Sequence, residues 1–351
     1  MRVAIDARSL SERFTSNYTY WSELVIALGQ RSDLELLLIS NSAVPPEEVP
    51  PNARTVVESS NGRWFSYAVL PEVARREGAD VVHVQYTVSP RFRIPVVTMI
   101  HDVSFFIEPK WFGMKDRFLL QRTVPAACHR ASRVVVPSQT CREELLSYID
   151  VEPAKVSVTL EGTPNRLLDT VPDNSLLRTL VGNAPYVLLV GGASPRKNMA
   201  GAVAAVREAR KCIPDLRLLI TGSLPEKPTE NWMVAPGPLS EPCLAAAYRG
   251  AHALLHPSLH EGFGLTLLEA MALGCPVVAS DRGAIPEVAG NDALLYDPFD
   301  AAGMGEALVQ LLNPGLRDRL AEQGRERSHD FSWYETAEAT VLAYRAAVGH
   351  S

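Results

Sequence analysis

Asp80-Val-Val-His-Val-Gln-Tyr-Thr-Val-Ser-Pro-Arg-Phe-Arg-Ile-Pro-Val-Val-Thr-Met-Ile100 contains two short β-branched runs, Asp80 to Gln85 and Pro95 to Ile100, separated by a turn-rich segment. Near-continuous runs of this kind belong in a parallel sheet covered by helices on both faces. The same signal recurs on either side. Arg2 to Asp6, Leu34 to Ile39 and Arg133 to Val136 read as further strands. Helical spacing fills the intervals at Tyr18 to Leu28, Trp64 to Glu77 and Trp111 to Arg130, and a helix opens after Ser138, an N-cap residue.

From Glu161 to Asn183 the composition turns to glycine, proline, aspartate and asparagine, which suits a connection between domains. The alternation then resumes. Tyr186 to Val190, Leu216 to Thr221, Ala253 to Leu255 and Pro276 to Ser280 read as strands, with helices at Met199 to Arg210, Leu244 to Arg249 and Gly264 to Leu273. Two βαβ series imply an α/β protein of two doubly wound Rossmann-like domains. The expected boundaries are an N-terminal domain over 1–165, a linker over 166–183, a second domain over 184–332 and a returning C-terminal helix within 333–351. Doubly wound sheets bind ligands beyond the C-terminal ends of their strands, and two facing domains would place a cleft between them.

The 351 residues suit two domains, and 46% hydrophobic against 21% charged residues is a globular composition. A formal net charge of −6 argues against a nucleic-acid partner. No apolar run approaches the roughly 18 residues of a membrane span, and the opening Met-Arg-Val-Ala-Ile-Asp meets a charge at Asp6, so a cytoplasmic protein is expected. Cys128, Cys141, Cys212, Cys243 and Cys275 show no metal-ligand spacing and read as reduced, buried thiols.

His256-Pro-Ser-Leu-His-Glu261-Gly262-Phe263-Gly264-Leu265 runs from a strand through a glycine-containing turn into a helix that continues to Glu269. Such a turn aims backbone N–H groups outward at a helix N-terminus, which suits a phosphate. Glu261 lies in the turn, and Glu269 sits within an otherwise apolar helix. A spacing of eight does not align two side chains on a helix at roughly 100° per residue, so the two carboxylates need separate partners. For Glu269 the candidates are a ligand hydroxyl, such as those of a ribose, or an internal polar partner.

The run from His256 to Pro298 resembles the signature of the retaining glycosyltransferases of family 4, which have the GT-B fold. The pattern Glu-Gly-Phe-Gly-Leu-x-x-x-Glu-Ala-Met-Ala is matched by Glu261 to Ala272, with Thr266 where many members have proline. Gly274 to Ser280 and Pro286 to Gly290 are similar to the family's continuation, and Val135 to Ser138 to its strand and turn near the end of the first domain. Tyr186-Val-Leu-Leu-Val-Gly191-Gly192-Ala-Ser-Pro-Arg196-Lys197-Asn198 is similar to the strand and loop that meet the nucleotide diphosphate. The resemblance implies donor binding by Gly191, Gly192, Arg196, Lys197, Gly262, Phe263, Gly264, Leu265 and Glu269, with Glu269 on ribose and Glu261 on the donor sugar. It implies that His101, in His101-Asp102-Val-Ser-Phe-Phe, faces the transferred sugar and the acceptor, so that His101, Glu261, Arg196 and Lys197 form the catalytic set.

One segment departs from the family. Relatives usually follow Asp6-Ala-Arg8 with a glycine-rich turn, whereas Glu12 to Tyr18 has no glycine, which leaves Ser16 and Asn17, with Asp102, as acceptor-side hydrogen-bonding groups. No Asp-x-Asp occurs, so no metal and no cofactor are expected, and the nucleotide sugar is a substrate. The expected partners are that donor and a glycosyl acceptor, which is a glycan, a lipid-linked molecule or a small molecule, and the chain is expected to be a monomer or homodimer. Lys110-Trp111-Phe112-Gly-Met-Lys115-Asp-Arg117-Phe118 offers either weak peripheral contact with an anionic membrane or a helix with aromatics packed inward. A GT-B sugar-nucleotide epimerase and a non-catalytic nucleotide-binding scaffold are the alternative functions. An NAD(P) oxidoreductase would need a GxGxxG after a strand, which is lacking.

Overall fold

The structure is a computed structural model that describes residues 1–12, 15–191, 194–222, 224 and 228–349. It divides into two compact units, Met1–Gly162 with Ser332–Ser351, and Thr163–Phe331. In the first unit the strands are β1 (Arg2–Asp6), β2 (Glu35–Ser40), β3 (Ala53–Val57), β4 (Val81–Gln85), β5 (Val96–Met99), β6 (Arg133–Val136) and β7 (Val156–Val158). They pair in the order β3-β2-β1-β4-β5-β6-β7, every pair parallel. In the second unit β8 (Tyr186–Val190), β9 (Arg217–Thr221), β10 (Met233–Gly237), β11 (Ala253–His256), β12 (Val277–Ser280) and β13 (Leu294–Tyr296) form a parallel sheet ordered β10-β9-β8-β11-β12-β13.

Each sheet therefore reverses its winding once, between β1 and β4 and between β8 and β11. Register fixes these junctions: Val3 pairs with Val81 and Ile5 with His83, while Ala253 pairs with Val187 and Leu254 with Leu188. A reversal leaves a crevice at the C-terminal ends of its two strands because the flanking connections depart to opposite faces.

The interior strands agree with their apolar runs, whereas β3, β7, β10 and β13 have no counterpart among the strands expected from sequence. All four are edge strands, and β3, β10 and β13 hold no fully buried residue. An edge strand buries less of itself, so its residues need not be apolar. The helix expected at Trp64 to Glu77 is also modified. It begins at Gly62, loosens into a π-helical turn over Phe65–Val69 and resumes at Leu70–Arg76. Four cysteines are buried, but Cys212, just beyond the helix Met199–Ala209, is exposed.

Residues 166–183 carry two short helices, Asn165–Asp169 and Ser175–Val181, and the Asp173 N–H donates to the Pro242 carbonyl at 3.0 Å, within the second unit. The helix Trp333–Val348 belongs to the first unit. Its Tyr344 hydroxyl meets Nδ1 of His83 at 2.7 Å, with both residues fully buried. Burial lowers the His83 pKa from 6.5 to about 3, because a charged imidazole there would lose its hydration. Below about pH 6.5 the unfolded chain protonates this histidine and the folded chain does not. Each pH unit then lowers stability by about 1.4 kcal/mol, down to about pH 3. Urea unfolding between pH 7 and 4 should show a shallower acid limb in His83→Phe, and identical pH slopes would refute this source of acid sensitivity.

Candidate functional site

The second unit builds its site where β8 and β11 end. The chain leaves β8 through Gly191, whose φ of 82° is left-handed, and its N–H donates to the Thr221 carbonyl at 2.9 Å. Gly192, expected to touch the donor, lies outside the described residues. Ser194 caps a short 3-10 turn, Pro195–Lys197, by accepting the Arg196 N–H at 3.3 Å. Asn198 follows with φ 52°, an uncommon value for a residue with a side chain. Its amide explains the conformation. Oδ1 accepts the Gly201 N–H at 3.1 Å and caps the next helix, while Nδ2 donates to the carbonyls of Pro257 at 3.2 Å and Pro298 at 2.8 Å. Asn198 thus ties the basic turn to the segment beyond β11.

Arg196 and Lys197 converge on Glu261. Arg196 Nη1 lies 2.7 Å from Oε2 and Lys197 Nζ 2.8 Å from Oε1. The same guanidinium donates to the His260 carbonyl at 2.9 Å. Glu261 is only 6% exposed. Burial alone would raise its pKa, but the two cations and His256 outweigh it and hold the carboxyl well below its ordinary value, so it is ionised. His256, the last residue of β11, places Nε2 3.2 Å from Glu261 Oε1 and 3.2 Å from Ser258 Oγ. Desolvation lowers the His256 pKa and keeps the ring neutral. Thr266 Oγ1 lies 3.3 Å from its Nδ1. A ring accepting from Thr266 presents Nε2–H to the carboxylate, so Thr266 orients His256.

Beyond Glu261 the chain turns at Gly264, φ 113°, into the helix Leu265–Ala272. Gly262, Phe263, Gly264 and Leu265 are buried at this N-terminus, and the backbone N–H groups of a helix N-terminus favour an anion. Phe263 packs edge-on against Phe331, with centroids 5.8 Å apart. Glu269 accepts a 2.6 Å hydrogen bond from the Tyr248 hydroxyl. Tyr248 is fully buried, and burial followed by the carboxylate's charge holds its pKa well above 10, so it remains a donor. Glu261 and Glu269 thus have separate partners.

In the first unit Asp6, ending β1, grips Arg8 in two bonds, at 2.8 Å to Nε and 2.6 Å to Nη2. His101 follows β5. Its Nε2 lies 3.3 Å from Gln85 Oε1 and its Nδ1 3.4 Å from Glu161 Oε1. The Tyr20 ring meets it edge-on with centroids 4.8 Å apart. Gln85 is itself oriented, accepting from Trp21 Nε1 at 2.9 Å and donating to Ser9 Oγ at 3.1 Å. Tyr86, with φ 56° at the end of β4, brings its ring within 5.8 Å of His101. Asp102 acts locally, since its Oδ1 accepts the Ser104 N–H at 2.9 Å and the Ser104 hydroxyl at 2.6 Å. Ser16 and Asn17 open the helix Ser16–Gly29, exposed and half-buried, one turn before Tyr20.

Arg196, Lys197 and Glu261 are therefore in mutual contact in the second unit, and His101 and Asp102 sit at the end of one strand in the first. Sequence reasoning assigned no role to His256, Thr266, Tyr248, Asn198, Gln85, Tyr86 or Glu161. Only His256, Gln85 and Tyr86, each at a strand end, carried a positional signal. Among the described residues no three His, Cys, Asp or Glu side chains gather as a metal would require, and no helix is long and apolar enough to cross a membrane. On the helix Met114–Arg130, Met114, Phe118 and Leu119 are exposed, with the Arg122 guanidinium 4.3 Å over the Phe118 ring.

Two family models match the chain: one described as glycosyl transferases group 1 over residues 184–314, and one described as glycosyltransferase family 4 over 19–163. The O-antigen chain mannosyltransferase B of Escherichia coli is 25% identical over 98% of this chain and 100% of its own. A D-inositol 3-phosphate glycosyltransferase of Gordonia bronchialis is 30% identical over 81% of this chain and 70% of its own. Among solved structures, Anabaena HepE in complex with UDP-glucose superposes with a TM-score of 0.74 over 97% of this chain and 99% of its own, at 18% identity.

Proposed function

We propose, given that this chain belongs to glycosyltransferase family 4, that it moves a hexosyl group from a nucleotide-diphosphate sugar to an acceptor hydroxyl with retention of anomeric configuration. The chain is a glycosyltransferase built of two Rossmann-like domains. The observation that carries the donor assignment is the buried Glu261 held between Arg196 and Lys197 at the reversal of the second sheet. Two cations against one carboxylate leave one positive charge in excess.

A diphosphate leaving group gains negative charge as the glycosidic bond breaks. Arg196, Lys197 and the amides of Gly262 to Leu265 would stabilise that charge from fixed positions. With both cations already held by Glu261, little reorganisation is needed when phosphate arrives. Glu261 would share its lone pairs with donor-sugar hydroxyls, and Glu269, positioned by Tyr248, would accept from the ribose. HepE is named as a complex with UDP-glucose, which supports a nucleotide-sugar donor. The mannosyltransferase relative supports mannose as a sugar to test. Retention on one face, with the leaving phosphate taking the acceptor proton, needs no carboxylate nucleophile, unlike the double displacement of retaining hydrolases.

Incubation with GDP-, UDP- and dTDP-hexoses and an acceptor, following nucleotide release and the anomeric signal of the product, tests this function. Absence of release with every donor, or an inverted product, would overturn it. Glu269→Ala should weaken nucleotide binding by about tenfold, the value of one lost hydrogen bond to a charged group. Unchanged affinity by calorimetry would remove Glu269 from the ribose. His101→Ala should lower kcat by about 10²-fold with little change in nucleotide affinity, and a normal rate would take His101 out of the reaction.

A further inference from the structure

The first unit carries an aromatic and cationic surface with no part in the donor chemistry. Trp64 and Tyr67 are 51% and 44% exposed, with ring centroids 5.9 Å apart and planes inclined by 42°. They flank and occupy the π-helical turn at Phe65–Val69. Such turns inside helices are frequent at functional sites. This one is clamped from within. Arg8, held by Asp6, donates to the Gly62 carbonyl at 3.1 Å and to Ser66 Oγ at 2.8 Å, and its guanidinium lies 4.9 Å over the Phe65 ring. Ser89 Oγ donates to the Tyr67 carbonyl at 2.6 Å. The two rings are thus presented outward from a fixed backbone, an arrangement that core packing does not require.

Cations adjoin them. The Arg91 guanidinium lies 4.9 Å over the Tyr67 ring and 6.0 Å from that of Trp64. Arg91 also lines, with Ala68, Pro71, Glu72, Arg75 and Arg93, a concavity of about 540 Å³. Glu72 is engaged by Arg75 at 2.6 Å. Among the described residues neither Arg91 nor Arg93 has a carboxylate partner. In a chain of net charge −6, Arg91 beside two exposed rings, with Arg93 in the concavity that Arg91 also lines, favours an anion joined to a flat apolar surface. A guanidinium stacked by its face keeps its N–H edge for a phosphate, which it can grip with two bonds.

We propose that Trp64, Tyr67, Arg91 and Arg93 form a subsite for a phosphorylated saccharide, with the sugar's C–H face on the rings and the phosphate on the guanidiniums. Its identity as the glycosyl acceptor rests on the proposed transferase function; its binding here does not.

Calorimetric titration of the full chain with glucose 6-phosphate, glucose and inorganic phosphate tests this. Glucose 6-phosphate should bind at least about tenfold more tightly than either fragment, since only it uses rings and cations together. Trp64→Ala and Arg91→Gln should each weaken it by about tenfold and leave the affinity for GDP, UDP or dTDP unchanged. Both side chains are exposed, so these variants should fold, and a melting scan checks that they do. Equal affinity for inorganic phosphate and the sugar phosphate, or binding untouched by both substitutions, overturns the subsite. So does recruitment to phosphatidylglycerol vesicles without any response to glucose 6-phosphate, which would make the patch a membrane contact. Binding of the sugar phosphate by a protein that releases no nucleotide would refute the transferase function and support the subsite.

Discussion

The Glu261→Ala variant is expected to lose at least about 10³-fold in kcat/KM and to destabilise the second unit by about 3–5 kcal/mol. The first figure follows from the role proposed for Glu261, under which the variant loses both a contact to the donor sugar and the group that positions Arg196 and Lys197 for phosphate. The second is the usual consequence of removing one member of a buried ionic cluster, because the remaining charges keep their desolvation and lose their compensation. Arg196 and Lys197 are largely covered, with side-chain exposures of 21% and 16%, so water only partly replaces the carboxylate. The depressed pKa of Glu261 sets the sign with pH. Its stabilisation is complete above the ordinary value of 4.5 and is lost as pH falls below it. Urea unfolding at pH 7 should therefore separate variant from parent more than at pH 4. A variant within about 0.5 kcal/mol of the parent at pH 7 would show the cluster to be energetically idle.

The second large effect is expected at a residue far from the signature pair in sequence. Gly283 has φ 57°, and a Cβ placed there would lie 2.8 Å from the Glu261 backbone nitrogen and closer still to its carbonyl oxygen. The next residue, Ala284, donates its N–H to that carbonyl at 2.9 Å, so the two segments cannot separate without breaking a buried hydrogen bond. Gly283→Ala should cost about 2–4 kcal/mol, combining left-handed strain with overpacking, and should weaken nucleotide binding by tilting Glu261 and its cations. Gly290 is the control, because it has the same φ of 57° but nothing nearer than 3.6 Å to a Cβ. Gly290→Ala should cost only the backbone strain of about 1–2 kcal/mol. Equal destabilisation by the two substitutions would rule out the clash as the cause.

These two experiments mark different levels of legibility. Glu261 is readable because it sits in a long motif whose glycines and apolar helix have few alternative explanations. The pressure of Gly283 on it is not, since a contact between residues 22 apart in the chain leaves no periodic trace. Asn198 shows the same limit: its side chain joins two carbonyls, of Pro257 and Pro298, that only folding brings together. Tyr248 looks in sequence like one more residue of a helix, and its bond to Glu269 depends on how that helix packs.

The order of residues along the chain is enough to specify the alternation of buried strands and helices, the doubled α/β plan and the residue types gathered around Glu261. Interior strands of parallel sheets must be apolar along their length, and glycine is needed where backbone turns left-handed against a ligand. Folding in three dimensions set the edge strands, the mutual capture of Arg196, Lys197 and Glu261, the network around His101, and the clamped π turn that presents Trp64 and Tyr67. Those features arise from packing and from electrostatic compensation between distant segments. Such interactions have no period along the chain and become specific only when burial removes water as the competing partner.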